Sequence, residues 1–419
     1  MEGLEVPSTQ ELWLFTQSFP CGHGEAFLEN ELPVLAARFK KVRCFPMHSV
    51  PGIRPLPSNV QVEHLLQDPY ARATPAQLLR HAGAAGRLLI SLWQDVGTVM
   101  FSKRWRGELQ SMMRGHIFRL AVLERMLMPR YDLRRVVLYS YWTHEWATLL
   151  ALLHAQRSDV RFISRAHGFD LYEHRHDLGA IPFRTLQLQA VEKIFCVSQA
   201  GLEHVKAAHP AQVAKFELSR LGTRDHGLSR PSGSGTLQLA SCAHVAPVKR
   251  VPMIAQALAR VKQPLHWTHF GDGPEMPLLQ ELATQLPPHV TVDLKGAADN
   301  AAIMRWYQNN PVDVFVLTSE LEGGVAVALQ EAASFGIPLI ATDSGGVRDI
   351  MNERTGILLA KEASADELAK VIDGFRQSPM ATAEFRAGVR AFWEENFRAE
   401  VTFNRFCDRL LQLHAEWNG

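Results

Sequence analysis

Two glutamates, Glu322 and Glu331, are separated by eight residues in the stretch TSELEGGVAVALQEAASFGIPLI, residues 318–340. After the first of them, Gly323 and Gly324 let the backbone turn sharply before a predicted helix. The first turn of a helix leaves backbone N–H groups without internal partners, which suits an anion or a polar ligand. The stretch therefore predicts a ligand site flanked by two carboxylates.

The residues around this stretch predict a strand, a glycine turn and a helix. Residues 312–317 (VDVFVL) form a short, β-branched apolar run typical of a buried parallel strand, and residues 325–334 are mostly good helix formers. Gly336 is placed to cap that helix, and Pro338 prevents its continuation before the next strand. Both glutamates are then expected at the carboxyl ends of the strands, where α/β sheets bind ligands.

Two further loops of the second half follow predicted strands. VAPVKRV carries Lys249 and Arg250, and HFGDGPE carries Gly271 and Gly273. A lysine at the carboxyl end of a strand predicts a phosphate contact, and the alternative is an exposed lysine at a helix start.

The first half offers fewer candidates. Gly22 and Gly24 lie where a predicted strand (residues 12–19) gives way to a helix, which indicates either a tight turn or a close approach of the backbone to a ligand. His167 follows the predicted strand VRFISRA directly, so it is expected at the ligand edge of the sheet rather than as a structural histidine.

Repeated strand and helix units on both sides of a Gly, Ser and Pro-rich segment, RDHGLSRPSGSGT, predict an α/β protein with two doubly wound parallel sheets. A chain of 419 residues also favours two or three domains. Residues 49–82, without a clear period, are expected to be irregular. The predicted division is an N-terminal domain (1–223), a linker (224–236), a C-terminal domain (237–385) and C-terminal helices that pack back toward the first domain (386–419).

Composition excludes a disordered chain and a nucleic-acid-binding protein, since 47% of residues are hydrophobic, 21% are charged and the net charge is +1. The charge is uneven: residues 1–222 carry 26 Lys and Arg against 20 Asp and Glu, and the remainder carries 18 against 23. The two halves are therefore expected to face different partners.

The five cysteines are widely spaced, with neither a disulfide framework nor a zinc pattern. No metal cluster is indicated. The N-terminus lacks signal-peptide character, and the apolar residues 88–101 are too few to span a bilayer, so a cytoplasmic protein is expected.

A basic stretch, residues 101–135, has nine Arg or Lys against three acids, interleaved with aromatic and aliphatic residues. Such a surface predicts peripheral contact with an anionic membrane. The alternative is a core-packed helix pair with a solvated basic face.

The motifs together resemble the GT-B glycosyltransferases, in particular the retaining enzymes of glycosyltransferase family 4 (group 1). SCAHVAPVKRV, HFGDGPE, EGGVAVALQEAASFGIPLIATDSGGVRDI and TGILL follow each other in the family's order. FPCGHGEAFLENEL, YSYWTHE, SRAHGFDLY and CVSQAGLEHV in the first half are also similar to the family. The resemblance implies two Rossmann-like domains that face each other across a cleft, with C-terminal helices returning to the first domain.

The family implies a role for each residue of the opening stretch. Glu331 matches the glutamate that holds the ribose hydroxyls, and Glu322 is similar to the one that meets the donor sugar. Here the spacing between them is one residue longer than in the family. Backbone N–H groups of the turn would meet the sugar hydroxyls: Gly323, Gly324, Val325 and Ala326.

The diphosphate contacts are implied in the same way. Lys249 matches the lysine that meets the diphosphate, whereas His244 stands where the family often has an arginine, so Arg250 could substitute for that contact. Base contacts are expected from the loops after Gly271 and Gly296.

On the first domain, the resemblance places His167 beside the transferred sugar. Gly22 and Gly24 resemble the loop that lies between acceptor and phosphate.

The implied function is retaining, metal-independent transfer of a sugar from a UDP-sugar or GDP-sugar to a saccharide or lipid-linked acceptor, in cell-surface polysaccharide synthesis. No residue suggests itself as a covalent nucleophile, and the resemblance implies front-face attack by the acceptor hydroxyl, assisted by the leaving phosphate. Two alternatives stay open: a GT-B nucleotide-sugar epimerase, and a catalytically silent scaffold that binds nucleotide sugar.

Overall fold

The computed structural model of the protein describes residues 8–22, 24–66, 68, 70–126, 132–233 and 235–418. Within these residues the chain divides into two compact units. Unit 1 comprises Met1–Val197, Gly201–Ser219 and Phe403–Gly419, and unit 2 comprises Ser198–Ala200 and Arg220–Thr402.

Unit 1 contains a seven-stranded sheet with the order β3-β2-β1-β4-β5-β6-β7, and every pairing in it is parallel. Its strands are β1 (Ser8–Thr16), β2 (Phe39–Pro46), β3 (Val60–Val62), β4 (Val136–Ser140), β5 (Phe162–Ala166), β6 (Lys193–Cys196) and β7 (Phe216–Leu218). Its first helices are α1 (Leu28–Arg38), α2 (Pro75–Arg80), α3 (Ala82–Val96), α4 (Arg106–Met126), α5 (Glu145–His154), α6 (Arg184–Ala190) and α7 (Gln199–Ala208).

Unit 2 contains a six-stranded parallel sheet with the order β10-β9-β8-β11-β12-β13. Its strands are β8 (Leu237–Cys242), β9 (Leu265–Phe270), β10 (Val290–Leu294), β11 (Val314–Leu317), β12 (Leu339–Thr342) and β13 (Gly356–Leu359). Its helices are α8 (Val251–Leu258), α9 (Met276–Thr284), α10 (Asn300–Asn309), α11 (Val327–Ser334), α12 (Ala365–Gly374) and α13 (Ala383–Asn396), after which α14 (Ala399–Asn418) leads back to unit 1.

Both sheets have apolar clusters on their two faces, which is why their strands read as continuous hydrophobic runs. The prediction of two doubly wound α/β sheets is confirmed. Each strand order reverses direction once, between β1 and β4 in unit 1 and between β8 and β11 in unit 2. Ligands of open α/β sheets bind at the carboxyl ends of the strands at such a reversal.

Residues 49–82, expected to be irregular, include the edge strand β3 and the helix α2. A three-residue strand is too short to show a hydrophobic period. Helix α2 has no buried residues, so it presents no buried apolar face, and its start is stabilised by local hydrogen bonds. Thr74 and Gln77 form a reciprocal capping box at its start.

The basic stretch that includes α4 is packed against the core of unit 1. Ile117, Leu120 and Leu123 of α4 are buried, and the buried Arg119 lies 3.3 Å from Glu145. For α4 the structure therefore agrees with the alternative of a core-packed helix with a basic outer face. Residues 127–131 of this stretch lie outside the described residues.

The two-unit division differs from the predicted boundary at residue 385, because the chain stays in unit 2 as far as Thr402. Helix α13 belongs to unit 2, where Val389 and Trp393 join the cluster around Phe335, and only the chain from Phe403 onward belongs to unit 1. Apolar residues at helical spacing predict that one face of a helix is buried, but they do not predict which surface covers that face.

The predicted linker is packed along unit 2, apart from residue 234, which lies outside the described residues. Arg386 of α13 donates hydrogen bonds to the carbonyl of Ser229 at 2.8 Å and to the carbonyl of Val312 at 2.9 Å. Ser232 N donates to Asp313 Oδ1 at 2.8 Å. Side chains from elsewhere in unit 2 thus satisfy the backbone of a segment that has no regular structure of its own.

Among the described residues, no helix combines the length and the apolar character that a bilayer crossing requires. All five cysteines are free thiols.

Candidate active site

The carboxyl ends of β8 and β11 bring Lys249 next to Glu322. Lys249 ends a 3-10 turn, Pro247–Lys249, that follows β8, and Glu322 lies in the loop after β11. Lys249 Nζ donates a hydrogen bond to Glu322 Oε1 at 2.6 Å. The pair therefore places a cation and a carboxylate at the point where the strand order of unit 2 reverses.

Arg250 is engaged differently from the predicted phosphate contact. Its Nε donates to the carbonyl of Thr318 at 2.9 Å, and a terminal guanidinium nitrogen donates to the carbonyl of Lys361 at 2.8 Å. Thr318 Oγ1 donates in turn to the Arg250 carbonyl at 2.9 Å. Arg250 thus ties the loop after β8 to the ends of β11 and β13.

A cavity of about 690 Å³ lies at the same edge of the sheet, at the carboxyl ends of β8, β9 and β10. It contains three of the predicted donor-binding residues, His244, Gly271 and Gly273, and it includes the loop after Gly296 from which base contacts were expected. Its full lining is Cys242, Ala243, His244, Phe270, Gly271, Asp272, Gly273, Ala297, Ala298 and Ile303.

Gly271 and Gly273 are required by the close approach of two loops. Their φ angles are 141° and 159°, a region that side chains disfavour. A Cβ at Gly271 would lie 1.9 Å from the carbonyl oxygen of Ala243, and one at Gly273 would lie 2.5 Å from that of Val245. Only glycine allows these loops to form the cavity wall.

Glu331 lies on α11 with 8% of its surface exposed. The side-chain amide of Asn300 donates to Glu331 Oε1 at 2.6 Å. Burial raises the pKa of Glu331 to about 7, and the hydrogen bond from Asn300 opposes that rise. Asn300 is the first residue of α10, two positions after Ala298 of the cavity lining, so its hydrogen bond holds Glu331 near that loop.

The turn after Glu322 rests on two glycines of the next loop. A Cβ at Gly345 would lie 1.9 Å from the carbonyl oxygen of Glu322, and one at Gly346 would lie 2.4 Å from the carbonyl carbon of Gly324. Helix α11 begins at Val327, two residues later than predicted. The predicted sugar contacts Gly323, Gly324, Val325 and Ala326 therefore form the loop that leads into the helix.

Three residues of this region were missed by sequence reasoning: Asn300, Gly345 and Gly346. The two glycines stand in the quoted motif that ends in DSGGVRDI, where the pair SGG between a strand and a helix marks a turn. Nothing in the sequence pairs Asn300 with Glu331, because 31 positions separate them.

A second cluster lies in unit 1, around His167. The imidazole follows β5 and is buried by three aromatic rings, with centroid distances of 4.4 Å to Trp142, 4.7 Å to Tyr141 and 5.8 Å to Phe27. Within the described residues, neither ring nitrogen has a hydrogen-bond partner. Burial, assisted by the nearby Arg165, holds the pKa of His167 well below its usual value, so the ring is neutral.

Asp170 fixes the backbone of the His167 loop. Its carboxylate accepts hydrogen bonds from the backbone N–H of His167 at 2.6 Å and of Thr143 at 2.5 Å. Burial raises the pKa of Asp170 to about 7, against the lowering effect of Arg184. The carboxyl ends of β4 and β5 are therefore joined through one side chain.

Gly22 and Gly24 lie in a tight loop after β1, of which residue 23 lies outside the described residues. Gly22 has a φ of 62°, and its N–H donates to the carbonyl of Gly52 at 2.8 Å. The guanidinium of Arg54 donates to the carbonyl of Gly24 at 2.9 Å. The loop is thus held by the chain that follows β2.

Glu25, which sequence reasoning did not single out, organises this loop. Its carboxylate accepts hydrogen bonds from the backbone N–H of Gln17, Ser18 and Phe19, at 3.1, 2.7 and 2.7 Å. It also accepts one from Trp142 Nε1 at 2.6 Å. Glu25 therefore connects the glycine loop to the indole of Trp142, which packs against the imidazole of His167.

In the described part of the chain, no group of three or more His, Cys, Asp or Glu side chains is arranged to hold a metal ion.

The two Rossmann-like units define the GT-B class of fold, which the comparison with solved structures supports. HepE of Anabaena, solved with UDP and glucose, superimposes with a TM-score of 0.61 over 96% of this chain and 100% of that chain, at 15% identity. Sucrose-phosphate synthase of Thermosynechococcus elongatus superimposes with a TM-score of 0.64 over 97% of this chain and 100% of that chain, also at 15% identity. At such identities the likeness concerns the fold alone.

Residues 230–390 match the model of the group 1 glycosyl transferase family. This match agrees with the resemblance drawn from the motifs of the second half. The matched residues include Lys249, Glu322 and Glu331.

The curated relatives match parts of the chain. A GDP-mannose-dependent alpha-mannosyltransferase of Mycolicibacterium smegmatis is 38% identical over 139 residues, which is 32% of this chain and 34% of that protein. The amylovoran biosynthesis glycosyltransferase AmsK of Erwinia amylovora is 22% identical over 263 residues, 60% of this chain and 62% of that protein. The chain thus spans about a third of the length of the mannosyltransferase that it matches.

Proposed function

We propose that the protein is a retaining glycosyltransferase that moves a sugar from a nucleoside-diphosphate donor to a hydroxyl of an acceptor. The observation that carries this proposal is the Lys249–Glu322 pair, 2.6 Å apart at the strand reversal of unit 2, within the residues that match the group 1 glycosyl transferase family. A phosphate-binding cation and a sugar-binding carboxylate are the two groups that a nucleotide sugar requires at its diphosphate and its sugar ring.

The donor is proposed to bind along unit 2. The cavity of about 690 Å³ accommodates the base, and Glu331 at its side binds the ribose hydroxyls. Lys249 meets the diphosphate, and the backbone N–H groups of the loop before α11 meet the sugar. His244 lines the cavity next to Gly273, so we propose a contact with the base or ribose for it rather than with the second phosphate.

In the proposed reaction, the acceptor oxygen bonds to the anomeric carbon on the face that the diphosphate leaves. The bond from that carbon to the phosphate oxygen breaks, and its electron pair stays on the nucleoside diphosphate, which also receives the acceptor proton. Lys249 and the N–H groups of the α11 loop stabilise the charge that develops on the phosphate. One such preorganised donor is worth about 3 kcal/mol. These groups supply the charge stabilisation that a metal supplies in other transferases, so we propose a metal-independent reaction.

We propose that the acceptor, a saccharide or a lipid-linked oligosaccharide, binds to unit 1 near His167 and the loop of Gly22 and Gly24. The imidazole of His167 is neutral, and its buried nitrogens have no partner within the described residues, so they can bind a sugar hydroxyl once the surrounding aromatic rings move aside. The name of AmsK, a relative in amylovoran biosynthesis, supports a role in cell-surface polysaccharide synthesis. Such an enzyme would work in the cytoplasm, at the inner face of the membrane.

Calorimetric binding of GDP and UDP, followed by transfer assays with GDP-mannose and UDP-glucose, tests this function. The GDP-mannose-dependent relative makes GDP-mannose the first donor to try. Release of nucleoside diphosphate that depends on the acceptor, with an α-linked product from an α-linked donor, supports the proposal. Conversion of the donor to another nucleotide sugar without acceptor would identify an epimerase, and tight binding without turnover would identify a scaffold.

A further inference from the structure

The outer face of α3 in unit 1 is apolar and uncovered. Leu89, Ile90 and Trp93 are 47%, 61% and 53% exposed. Positions three and four residues apart lie on the same side of a helix, so Trp93 adjoins both Ile90 and Leu89 and the three side chains form one surface. The other exposed residues of α3 are Ala82, Gly83, Gln94 and one cation, Arg87.

The apolar surface continues into the 3-10 turn that follows, Gly97–Phe101. Val99 is 41% exposed and Phe101 is 65% exposed, and the ring centroid of Phe101 lies 6.3 Å from that of Trp93. We define the α3 patch as Leu89, Ile90, Trp93, Val99 and Phe101. Contiguous apolar surface of this kind on a folded protein marks an interaction site.

The charges around the α3 patch are mostly positive. Residues 70–108 contain six Arg or Lys and two acids, Asp95 and the exposed Glu108. Asp95 is turned inward, where its carboxylate accepts hydrogen bonds from the backbone N–H of Thr185 at 3.0 Å and from Ser91 Oγ at 3.1 Å. The cations Arg87, Lys103, Arg104 and Arg106 are exposed.

We propose that the α3 patch inserts into the headgroup region of an anionic lipid bilayer, with Lys103, Arg104 and Arg106 binding the lipid phosphates. Apolar side chains with an indole among them, bordered by cations, are what an interfacial helix presents to a membrane. A second copy of the chain fits less well, because a two-fold contact would set each group of cations against its own copy. This inference concerns a surface outside the transfer site and holds whichever donor the protein uses.

Co-flotation of the full-length protein with vesicles tests the proposal without donor or acceptor. Wild-type protein is expected to float with vesicles of phosphatidylcholine and phosphatidylglycerol (7:3) and to stay largely at the bottom with phosphatidylcholine alone. Replacing Lys103, Arg104 and Arg106 by Gln should lower the partition coefficient roughly 100-fold, since each cation near an anionic surface contributes roughly a fivefold factor. The matched control replaces Lys40, Arg134 and Arg135 by Gln, three cations on other elements of unit 1, and should change partitioning much less.

The apolar arm uses Ile90→Ser, Trp93→Ser and Phe101→Ser together, with Val213→Ser, Leu228→Ser and Leu278→Ser as the control set of exposed apolar residues. The patch variant should lose flotation by at least tenfold, and the control should keep it. Equal flotation of patch variant and control would overturn the proposal, as would a wild type that floats with neither vesicle. If the wild type does not float and the patch variant turns a sedimenting dimer into a monomer, the patch is an interface between copies. Thermal unfolding checks that each variant is folded. If the Ser variant does not fold, the proposal is tested by the Gln variant, which changes only the charge.

Discussion

Lys249 Nζ donates to Glu322 Oε1 at 2.6 Å, so the residues proposed to handle the diphosphate and the sugar of a donor are bound to each other. Their side chains are 25% and 10% exposed, which leaves the pair accessible to a ligand. A diphosphate must therefore either replace the carboxylate as the partner of Lys249 or share the lysine with it. In the proposed reaction, the pair would keep the cation in position until the phosphate arrives.

Lys249→Met should lower kcat for sugar transfer by about 100-fold to 1000-fold, because one preorganised donor to the leaving phosphate is worth about 3 kcal/mol. Nucleoside-diphosphate release in a steady-state assay measures it. Lys370→Met, an exposed lysine on α12, is the control and should stay within twofold of wild type. A Lys249→Met protein with more than a tenth of wild-type turnover would remove Lys249 from the phosphate site.

Glu322→Gln separates binding from transfer. The amide no longer holds the lysine by charge, so a nucleoside diphosphate should bind as tightly as to wild type or several-fold more tightly. Transfer should fall at least tenfold, because the group that meets the sugar is changed. Calorimetry and a transfer assay on the same preparation check both. Weaker nucleotide binding with normal turnover would contradict the assignment.

Glu331 should make nucleotide binding depend on pH. Its pKa is raised to about 7, and the carboxylate is the form that accepts hydrogen bonds from both ribose hydroxyls. The affinity of wild type for a nucleoside diphosphate should therefore rise between pH 6 and pH 8. The Glu331→Gln protein should bind roughly tenfold more weakly than wild type at pH 8, and its affinity should change little between pH 6 and pH 8. A wild-type affinity that is flat over this range would contradict the prediction.

The same pKa predicts the stability of the ligand-free protein. Because the folded value exceeds the ordinary value of 4.5, the contribution of Glu331 to stability is fully present below that pH and is lost as the pH rises through about 7. Wild type should lose stability relative to Glu331→Gln between pH 5 and pH 7 in denaturant unfolding. Asn300→Ala should extend the loss to higher pH, since the Asn300 hydrogen bond lowers the pKa.

Gly271→Ala should damage the cavity. The added Cβ would lie 1.9 Å from the Ala243 carbonyl oxygen, so the loop has to move, and the φ of 141° adds strain of about 1–3 kcal/mol. We expect a lower melting temperature and at least tenfold weaker nucleotide binding. Gly374→Ala, at the end of α12 with nothing within 4 Å of the new Cβ, should leave both unchanged. Equal effects of the two substitutions would contradict this account of the glycine loops.

Arg386→Met should destabilise unit 2 by about 2 kcal/mol, since it removes two hydrogen bonds and leaves the buried carbonyls of Val312 and Ser229 without these donors. Arg354→Met removes an exposed pair with Glu395 and should cost less than about 1 kcal/mol. Melting temperatures of the two variants decide the matter. An Arg386→Met protein as stable as Arg354→Met would show that the predicted linker around Ser229 does not depend on this contact.

Much of the site could be predicted from single positions. His167 follows β5 directly, and Lys249 and Glu322 lie in the loops after β8 and β11. A parallel sheet brings the ends of its strands to one edge, so the pattern of strands and glycines predicted that each residue lies at the ligand edge of its sheet. Asn300 and Glu25 could not be found this way, because each acts through a contact with a residue or loop that only folding brings close.

The contacts of two segments could not be predicted from their own composition. The segment around Ser229 was predicted as a linker, and its backbone accepts a hydrogen bond from Arg386, on a helix more than 150 positions away. The same limit applied to α13, whose apolar face was visible but whose partner was not.

The sequence by itself determined the alternation of strands and helices, the glycine turns and the order of the motifs, because these depend on local periodicity and backbone freedom. Tertiary structure alone decided which charges meet, which carboxylates lose water and which apolar faces stay uncovered. Lys249 and Glu322 are 73 positions apart, and their pairing, like the raised pKa of Glu331 and the exposure of Trp93, follows from how the sheets and helices pack.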